Sequence, residues 1–250
     1  MICFVSPKDT GILKSVGKLC SGVCGCRILC LLESYGRYDN LVELWMQYND
    51  AGEKTAVLLK YSGDMTVSVS DNADISELRE FISAVGAVSV QSEIPLTKDF
   101  SEAVIMLLKS RRDFDIKIFA EQHPLPEVVY SLMKQCSGEG FSIPLYEDFL
   151  LDFSHRMRHG TALCRAVMHD KTAVSFAMTT ALSESSAVIG SVCTLTEYRH
   201  SGIGTACVNS LIDDLEDRNV YVVRHPQKNE QFYRKMGFEN HGTLYIKNRR

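Results

Sequence analysis

Two glycines stand next to a predicted helix start in the segment TLTEYRHSGIGTA, residues 194–206. Glycine is a poor helix former, so the pair Gly202 and Gly204 indicates a local requirement at this place. The first N–H groups of a helix have no intrahelical partners, and glycine lets an anion approach them closely. With Arg199 beside it, the segment indicates an anion site; the alternative is a helix-entry loop with incidental glycines. It lacks the Gly-Lys-Ser/Thr of a P-loop and the third glycine of the dinucleotide fingerprint.

A second motif follows after one predicted helix and one predicted strand. In the segment NEQFYRKMGF, residues 229–238, Asn229 and Tyr233 are four residues apart and share a helix face.

These motifs, in this order and at this spacing, resemble the acetyl-CoA-binding core of the GNAT superfamily of N-acetyltransferases. The resemblance covers residues 145–250 and implies an α+β fold, with a central mixed, mostly antiparallel sheet flanked by helices. It also implies transfer of an acetyl group from acetyl-CoA to the primary amine of a small molecule or peptide. The amine would attack directly, without a covalent enzyme intermediate.

The resemblance further implies roles for individual residues. The main chain of the glycine loop would hold the CoA pyrophosphate. The preceding strand would pair with the pantetheine arm and polarise the thioester carbonyl. Asn229 would contact pantetheine, and Tyr233 would protonate the departing thiolate, since a phenol with a pKa near 10 is protonated at neutral pH. The glycine loop comprises Arg199, His200, Ser201, Gly202, Ile203, Gly204 and Thr205, and the strand residues are Val192, Cys193 and Thr194.

The sequence does not single out a general base. The run Ala187–Thr194 contains no carboxylate, so the candidates are Glu184 and Glu197 beside it, His169 at the end of an earlier strand, or a water relay. Cys193 is expected to pack rather than act as a nucleophile, since no histidine spacing activates it. The missing base keeps open an alternative function, a non-catalytic acyl-CoA-binding or regulatory protein on the same fold; a nucleotide-binding enzyme is a third interpretation.

Periodicity places these motifs on a series of predicted elements. Segments 161–170 and 171–180 predict a hairpin, and Ala187–Thr194 predicts a third strand before the glycine loop. Apolar residues at helical spacing then predict a helix over 205–218. The run VYVV (220–223) predicts a buried strand parallel to the third one, followed by a short helix ending at Gly237 and a last strand, TLYIK (243–247).

The first half shows the same order of elements. Strands are predicted near 41–48, 55–61 and 65–70, then a helix over 75–85 and a strand at 87–91. The plan is therefore predicted to occur twice in tandem. The first copy has no glycine between its third strand and its helix, and Asp71 and Asp74 put negative charge there, which disfavours an anionic ligand.

Helices are predicted between the halves, over 100–110, from Pro126 and over 146–159. We expect a boundary near residue 140, which divides the chain into a degenerate N-terminal domain (1–140) and a catalytic domain (141–250). His155, Arg156, Arg158 and His159 end the last of these helices, where cations stabilise the helix dipole; the alternative is contact with an acidic acceptor.

Composition excludes several classes of protein. The 250 residues are 45% hydrophobic and 23% charged, with a net charge of −4, which is typical of a globular protein and gives no reason to expect nucleic acid as a partner. No apolar run is long enough for a membrane span and no signal peptide is evident, so we expect a cytoplasmic monomer or homodimer.

Nine cysteines are present, four of them as Cys20, Cys24, Cys26 and Cys30. Their spacing does not match paired zinc ligands or iron–sulfur runs, so we expect no metal and interpret them as core side chains. Arg27–Leu32 within this segment predicts a strand.

Overall fold

The computed structural model describes residues 1–38, 40–96, 98–112, 114, 118–138 and 143–248. Its strands are β1 (Ile2–Val5), β2 (Val42–Tyr48), β3 (Lys54–Tyr61), β4 (Asp64–Val69), β5 (Ser89–Ser92), β6 (Ser101–Leu108), β7 (Glu121–Gln122), β8 (Cys164–His169), β9 (Thr172–Leu182), β10 (Ser186–Thr194), β11 (Asn219–Arg224) and β12 (Phe238–Asn248). Its α-helices are α1 (Ile12–Gly17), α2 (Gly22–Tyr35), α3 (Ile75–Val85), α4 (Pro126–Cys136), α5 (Tyr146–Arg158), α6 (Ile203–Asp213) and α7 (Glu230–Lys235).

The chain divides into two compact units. The first comprises Met1–Leu107, Val223–Gln231 and Glu239–Arg250, and the second comprises Leu108–Val222 and Phe232–Phe238. The predicted boundary near residue 140 falls at 139–142, which lie outside the described residues.

The second unit has the strand order β11-β10-β9-β8-β7. Strands β8 and β9 form the predicted hairpin, in which Asp170 takes a positive φ of 55° at the turn. Strand β10 is antiparallel to β9, and α6 carries the chain across to β11, which runs parallel to β10. A parallel neighbour needs such a crossover, so the predicted order of elements is confirmed here.

The first unit repeats this plan. Its strand order is β1-β2-β3-β4-β5-β12-β6. Strands β2, β3 and β4 form an antiparallel meander, and α3 then leads to β5, which is parallel to β4. Both units therefore contain a mixed, mostly antiparallel sheet with helices, and the predicted fold class is confirmed.

Two sequence predictions of secondary structure are wrong. Arg27–Leu32 lies in helix α2 and not in a strand. This helix is buried on several faces, so apolar residues recur at every spacing and no polar face reveals the helical period. Conversely, the predicted helix over 100–110 is strand β6, a short apolar run of the kind for which periodicity cannot separate the two structures.

The last strand has a partner that is distant in sequence. Strand β12 is antiparallel to β5, with Tyr245 opposite Ser92 and Asn248 opposite Ser89. The C-terminal residues therefore complete the sheet of the first unit, although the strand itself was predicted from its local pattern.

Each unit has its own hydrophobic core. In the first unit, one cluster lies around α1 and α2 with Leu44, Val57 and Leu59, and another lies under α3 around Leu58 and Leu78. In the second unit, α4 and α5 pack on the hairpin through Leu132, Phe153 and Phe176. Burial of this apolar surface is the main favourable contribution to folding.

We predict that replacing Gly237 by alanine destabilises the folded protein. It ends α7 with φ +95°, and a Cβ there would lie 1.8 Å from the carbonyl oxygen of Ser110. We expect Gly237→Ala to lower the free energy of unfolding by about 2–4 kcal/mol, because backbone strain and a steric overlap add. Gly242→Ala is the matched control, since a Cβ there meets no atom within 4 Å. Equal thermal midpoints for the two variants by circular dichroism would contradict the expectation.

Candidate functional site

The glycine loop connects β10 to α6. A single 3₁₀ turn at Thr196–Tyr198 leads to His200, which has a positive φ of 64°, and to Gly202, which has φ 84° and precedes the first residue of α6. No side chain caps this helix and its first turn contains no acidic residue. The first N–H groups of α6 are therefore available to an anion at the positive end of the helix dipole.

The loop folds back onto the end of β10. The Arg199 Nε–H donates a hydrogen bond to the carbonyl oxygen of Thr194 (3.1 Å), and the Ser201 hydroxyl donates one to the carbonyl oxygen of Tyr198. A Cβ on Gly204 would lie 3.0 Å from Thr194 Oγ1 and 3.9 Å from the ring of Phe232. Glycine at 204 thus permits the strand end, the helix start and α7 to meet closely.

Strand β10 is paired with β9 as far as its last residue, but with β11 only along its first half. Its parallel register with β11 runs from Ser186, opposite Asn219, to Ile189, opposite Val222. Its pairing with β9 continues to Thr194, but the register shifts between Gly190 and Cys193, and Ser191 has a positive φ of 48°. A bulge of this kind redirects main-chain groups away from regular pairing, so residues 190–194 can offer them to an extended ligand.

Buried hydrogen bonds hold the end of β10 in place. The hydroxyl of Ser175, which is fully buried on β9, donates to the carbonyl oxygen of Cys193 (2.9 Å) and lies 2.8 Å from Thr194 Oγ1. Sequence reasoning missed Ser175, because only the strand register brings it opposite Thr194.

Tyr233 is the buried phenol of the site. Its side chain is only 6% exposed and makes edge contacts with the rings of Phe232 and Phe238. Burial, and secondly the neighbouring Cys193, raise the pKa of Tyr233 to about 12. The phenol therefore keeps its proton over the whole physiological range.

The thiol of Cys193 is unsuited to nucleophilic attack. Burial is the main reason that its pKa rises to about 12, and the neighbouring Cys136 contributes. A thiol with this pKa stays neutral near pH 7, and the thiolate is the reactive form. Cys193 also belongs to the hydrophobic core of the second unit.

The sequence of this part of the chain matches a known family. Residues 127–238, which include the glycine loop, β10 and Tyr233, match the model of the Acetyltransferase (GNAT) family. These residues form a GNAT domain. The predicted resemblance is confirmed, and the family transfers acyl groups from acetyl-CoA.

Solved structures show that the likeness extends over the full chain. A tandem GNAT protein from the clavulanic acid biosynthesis pathway is 10% identical, with a TM-score of 0.59 over 99% of this chain and 98% of its own. A GCN5-related N-acetyltransferase from Sphaerobacter thermophilus is 14% identical, with a TM-score of 0.60 over 99% and 95%. A Drosophila protein is 9% identical, with a TM-score of 0.65 over 99% and 98%. At these identities the likeness shows the fold alone, and none of the curated proteins matches the sequence.

Asn229 lies outside the second unit. It belongs to the first unit, is exposed, and takes a positive φ of 63° immediately before α7. The other predicted binding residues, Val192–Thr194 and Arg199–Thr205, belong with Tyr233 to the second unit.

The segment that carries Asn229 is fixed by a buried arginine that sequence reasoning missed. The Arg224 guanidinium donates to Glu230 Oε2 (2.7 Å), to the carbonyl oxygens of His225 (3.1 Å) and Pro226 (2.7 Å), and to Met106 Sδ (3.3 Å). Its side chain is 3% exposed. Arg224 therefore closes the turn between β11 and the start of α7.

The three candidate bases are all exposed. Glu184 is exposed in the turn between β9 and β10, at the opposite end of β10 from Thr194. Glu197 is exposed in the 3₁₀ turn of the glycine loop. His169 is 63% exposed beside Asp170, with its ring centroid 5.8 Å from that of Tyr198.

The basic residues at the end of α5 have structural partners. Arg156 is buried and donates to the carbonyl oxygens of Thr161 and Thr180 (3.1 Å each), which joins α5 to the hairpin. The rings of His155 and His159 pack against each other with centroids 4.3 Å apart. For Arg156, anchoring of the helix is therefore the observed role.

We call the connection from the third strand of each meander to the crossover helix its corner. In the first unit this corner, between β4 and α3, is closed by the side chains of the unit itself. Asp74 caps α3 by accepting from the N–H groups of Ser76 and Glu77. The Ser68 hydroxyl, at the end of β4, donates to the carbonyl oxygen of Leu19. Asp74 therefore occupies N–H groups at the start of α3, whereas no side chain caps the start of α6.

The cysteine cluster lies far along the chain from the site residues and is packed into the first unit. Cys20, Cys24, Cys26 and Cys30 are buried, and burial raises the pKa of Cys20 and Cys24 to about 12. In the part of the chain that the structure describes, no three His, Cys, Asp or Glu side chains are grouped to hold a metal ion.

None of the helices described is long and apolar enough to cross a membrane.

The ion pair of Arg224 is expected to contribute more to stability than an exposed one. Arg224→Met would leave Glu230 and two carbonyl oxygens without their donor, so we expect a loss of about 2–4 kcal/mol in the free energy of unfolding. Arg111→Met is the matched control, because Arg111 forms an exposed pair with Asp213 and Glu216, and such pairs contribute less than about 1 kcal/mol. Urea unfolding measures both; equal losses would show that burial of the Arg224 pair has no consequence.

Proposed function

We propose that the chain is an N-acetyltransferase that uses acetyl-CoA and acts on the primary amine of a small molecule or peptide. One observation carries this proposal: in the GNAT domain, an uncapped helix start lies against the end of a bulged strand, with a buried phenol beside that strand. The family membership of residues 127–238 supports the same activity.

The glycine loop would hold the CoA pyrophosphate. The main-chain N–H groups of residues 200–205 would supply donors, since that of Arg199 already donates to the carbonyl oxygen of Thr196. The first turn of α6 contains no carboxylate that would repel the anion, and the Arg199 side chain adds positive charge. These properties fit a diphosphate better than they fit a neutral ligand. The closed corner of the first unit, with Asp74 at its helix start, fits no such anion.

The end of β10 would hold the pantetheine arm. Residues Val192–Thr194 lie beyond the last residue paired with β11, and the Ser175 hydroxyl orients the carbonyl group of Cys193. Main-chain N–H groups at this bulge would also stabilise charge that develops on the carbonyl oxygen. Asn229 would add a side-chain amide to the arm.

Tyr233 would act as the general acid. When bound, the donor supplies a thioester whose carbonyl carbon accepts the amine nitrogen and whose sulfur departs with the electron pair of the C–S bond. Because its pKa is about 12, Tyr233 carries a proton at neutral pH and stabilises that sulfur as negative charge develops. A thiol has a pKa near 8.5, so the phenol gives up its proton only in concert with proton loss from the attacking nitrogen.

We propose that the amine proton leaves through water. Glu184, Glu197 and His169 are exposed and lie at the ends of β10 or beyond, whereas the bulge lies between Gly190 and Cys193. The same observation favours a second candidate function, an acyl-CoA-binding regulatory protein without turnover. Release of free CoA in the presence of a panel of amines distinguishes the two functions.

Binding of acetyl-CoA is expected to depend on the absence of negative charge at the start of α6. Wild type should gain several degrees in Tm with saturating acetyl-CoA. Thr205→Asp introduces a carboxylate into the first turn, as in α3, which favours the helix dipole but repels a diphosphate. We expect it to weaken binding by at least about tenfold, as one lost charge-assisted interaction would.

The neutral control is Thr205→Asn, which has the same size as the Asp variant. If the Asp and Asn variants bind acetyl-CoA equally well in isothermal titration calorimetry, the anion is not at this helix start.

Removal of the Tyr233 hydroxyl is expected to slow transfer without weakening binding. Tyr233→Phe should lower kcat by about 10²–10⁴-fold, the usual contribution of a general acid, and leave the Kd of acetyl-CoA unchanged. In wild type, the raised pKa predicts no loss of kcat through ionisation of this phenol below about pH 11.

Tyr245→Phe, a phenol removed from β12, controls for a general effect of the substitution. A Tyr233→Phe enzyme with the kcat of wild type would assign the proton to another group.

A further inference from the structure

The first unit contains a cavity of about 530 Å³ beside the C-terminal half of α3. Arg79, Ile82, Ser83 and Gly86 line it from one face of the helix, at positions i, i+3, i+4 and i+7. The opposite walls come from β5, the segment after it, and Lys247 of β12. Small-molecule sites commonly occupy roughly 300–1,000 Å³, so the cavity is large enough for one.

Part of the wall is apolar and well ordered by packing. Ile82, Ala87, Val90 and Leu96 line the cavity and are 2–7% exposed. They belong to the hydrophobic core under α3. An apolar group placed against them removes surface from water, which is favourable in proportion to the area covered.

The charged groups of the cavity are mainly cations. Arg79, Lys98 and Lys247 line it, against one carboxylate, Asp99. The Arg79 side chain is held by hydrogen bonds from Nε to the carbonyl oxygen of Leu96 and from Nη2 to that of Pro95, both 3.2 Å. A guanidinium fixed in this way presents its remaining N–H groups with little further loss of side-chain entropy.

The end of α3 opposes this charge but does not cancel it. Gly86 ends the helix, and the carbonyl end of a helix carries roughly half a negative charge. Three cations minus one carboxylate and half a charge leave the cavity positive. A neutral ligand would not use this charge, and an inorganic anion would not use the apolar wall.

We propose that this cavity binds a small amphipathic carboxylate, with its apolar chain on Ile82, Ala87, Val90 and Leu96 and its carboxylate at Arg79 and Lys247. The first unit, whose corner between β4 and α3 is closed, thereby has a ligand site of its own. The site lies within the first unit and needs no acetyl-CoA, so its test is independent of the proposed transferase activity.

Three probes separate the two parts of the ligand. Isothermal titration calorimetry of the full chain, without acetyl-CoA, would compare octanoate with octanol, which lacks the charge, and with acetate, which lacks the chain. We expect octanoate to bind at least about tenfold more tightly than either, because only octanoate uses both the charge and the apolar wall. Equal affinities, or no heat with octanoate, would overturn the proposal.

Variants then locate the binding. Lys247→Gln and Arg79→Gln should each weaken octanoate binding by about tenfold, and Ala87→Leu should weaken it by filling the cavity. Lys60→Gln is the control, since Lys60 pairs with Glu43 on the neighbouring strand and does not line the cavity. Thermal midpoints near that of wild type verify that the variants are folded. Octanoate binding that survives all three cavity variants would place the ligand elsewhere and refute the assignment.

Discussion

The candidate functional site depends on one constraint, that polar main-chain groups must find partners. Strand β10 loses its regular register after Ile189, and α6 begins without a capping side chain. Both leave main-chain donors at the same corner, where Gly204 lets the strand end and the helix start approach. Such groups are satisfied by water or by a ligand, and hydrogen bonds of Ser175 and Arg199 fix the strand end and the loop beside them.

The same corner between strand and crossover helix occurs twice in the chain, with an uncapped helix start in the second unit and a capped one in the first. In the first unit, Asp74 satisfies the start of α3, and Ser68 bonds to the carbonyl oxygen of Leu19 at the end of β4. The meander, crossover helix and parallel strand are retained, so the fold does not require an open corner. The two corners differ in their glycines and polar side chains, which separates the role of the shared plan in folding from the binding role that we propose for one copy.

Buried ionic groups in both units serve to fix short connections. Arg224 closes the turn before α7, and Arg156 joins α5 to the hairpin in which β9 lies beside β10. A buried guanidinium is costly to desolvate and is retained where several acceptors surround it. Each of these arginines has at least two carbonyl partners, so each fixes a main-chain segment.

The sequence by itself determined the local features. The strands and helices of both repeated plans, the glycine loop, the αL end of α7 at Gly237 and the acid at Asp74 all follow from residue type and from spacing within one element. Tyr233 and the family resemblance were also identified in this way, because the motif is contiguous. Where local signals are ambiguous, as in the apolar runs of α2 and β6, the predictions failed.

Only the tertiary structure decided what depends on residues far apart in the chain. It placed β12 beside β5, Ser175 opposite Thr194, and the cations Arg79 and Lys247 around one cavity. It also gave Tyr233 its burial, and hence its raised pKa, and gave Arg224 its acceptors. Register, burial and electrostatic environment arise from contacts between distant segments, and no periodicity within a single segment encodes them.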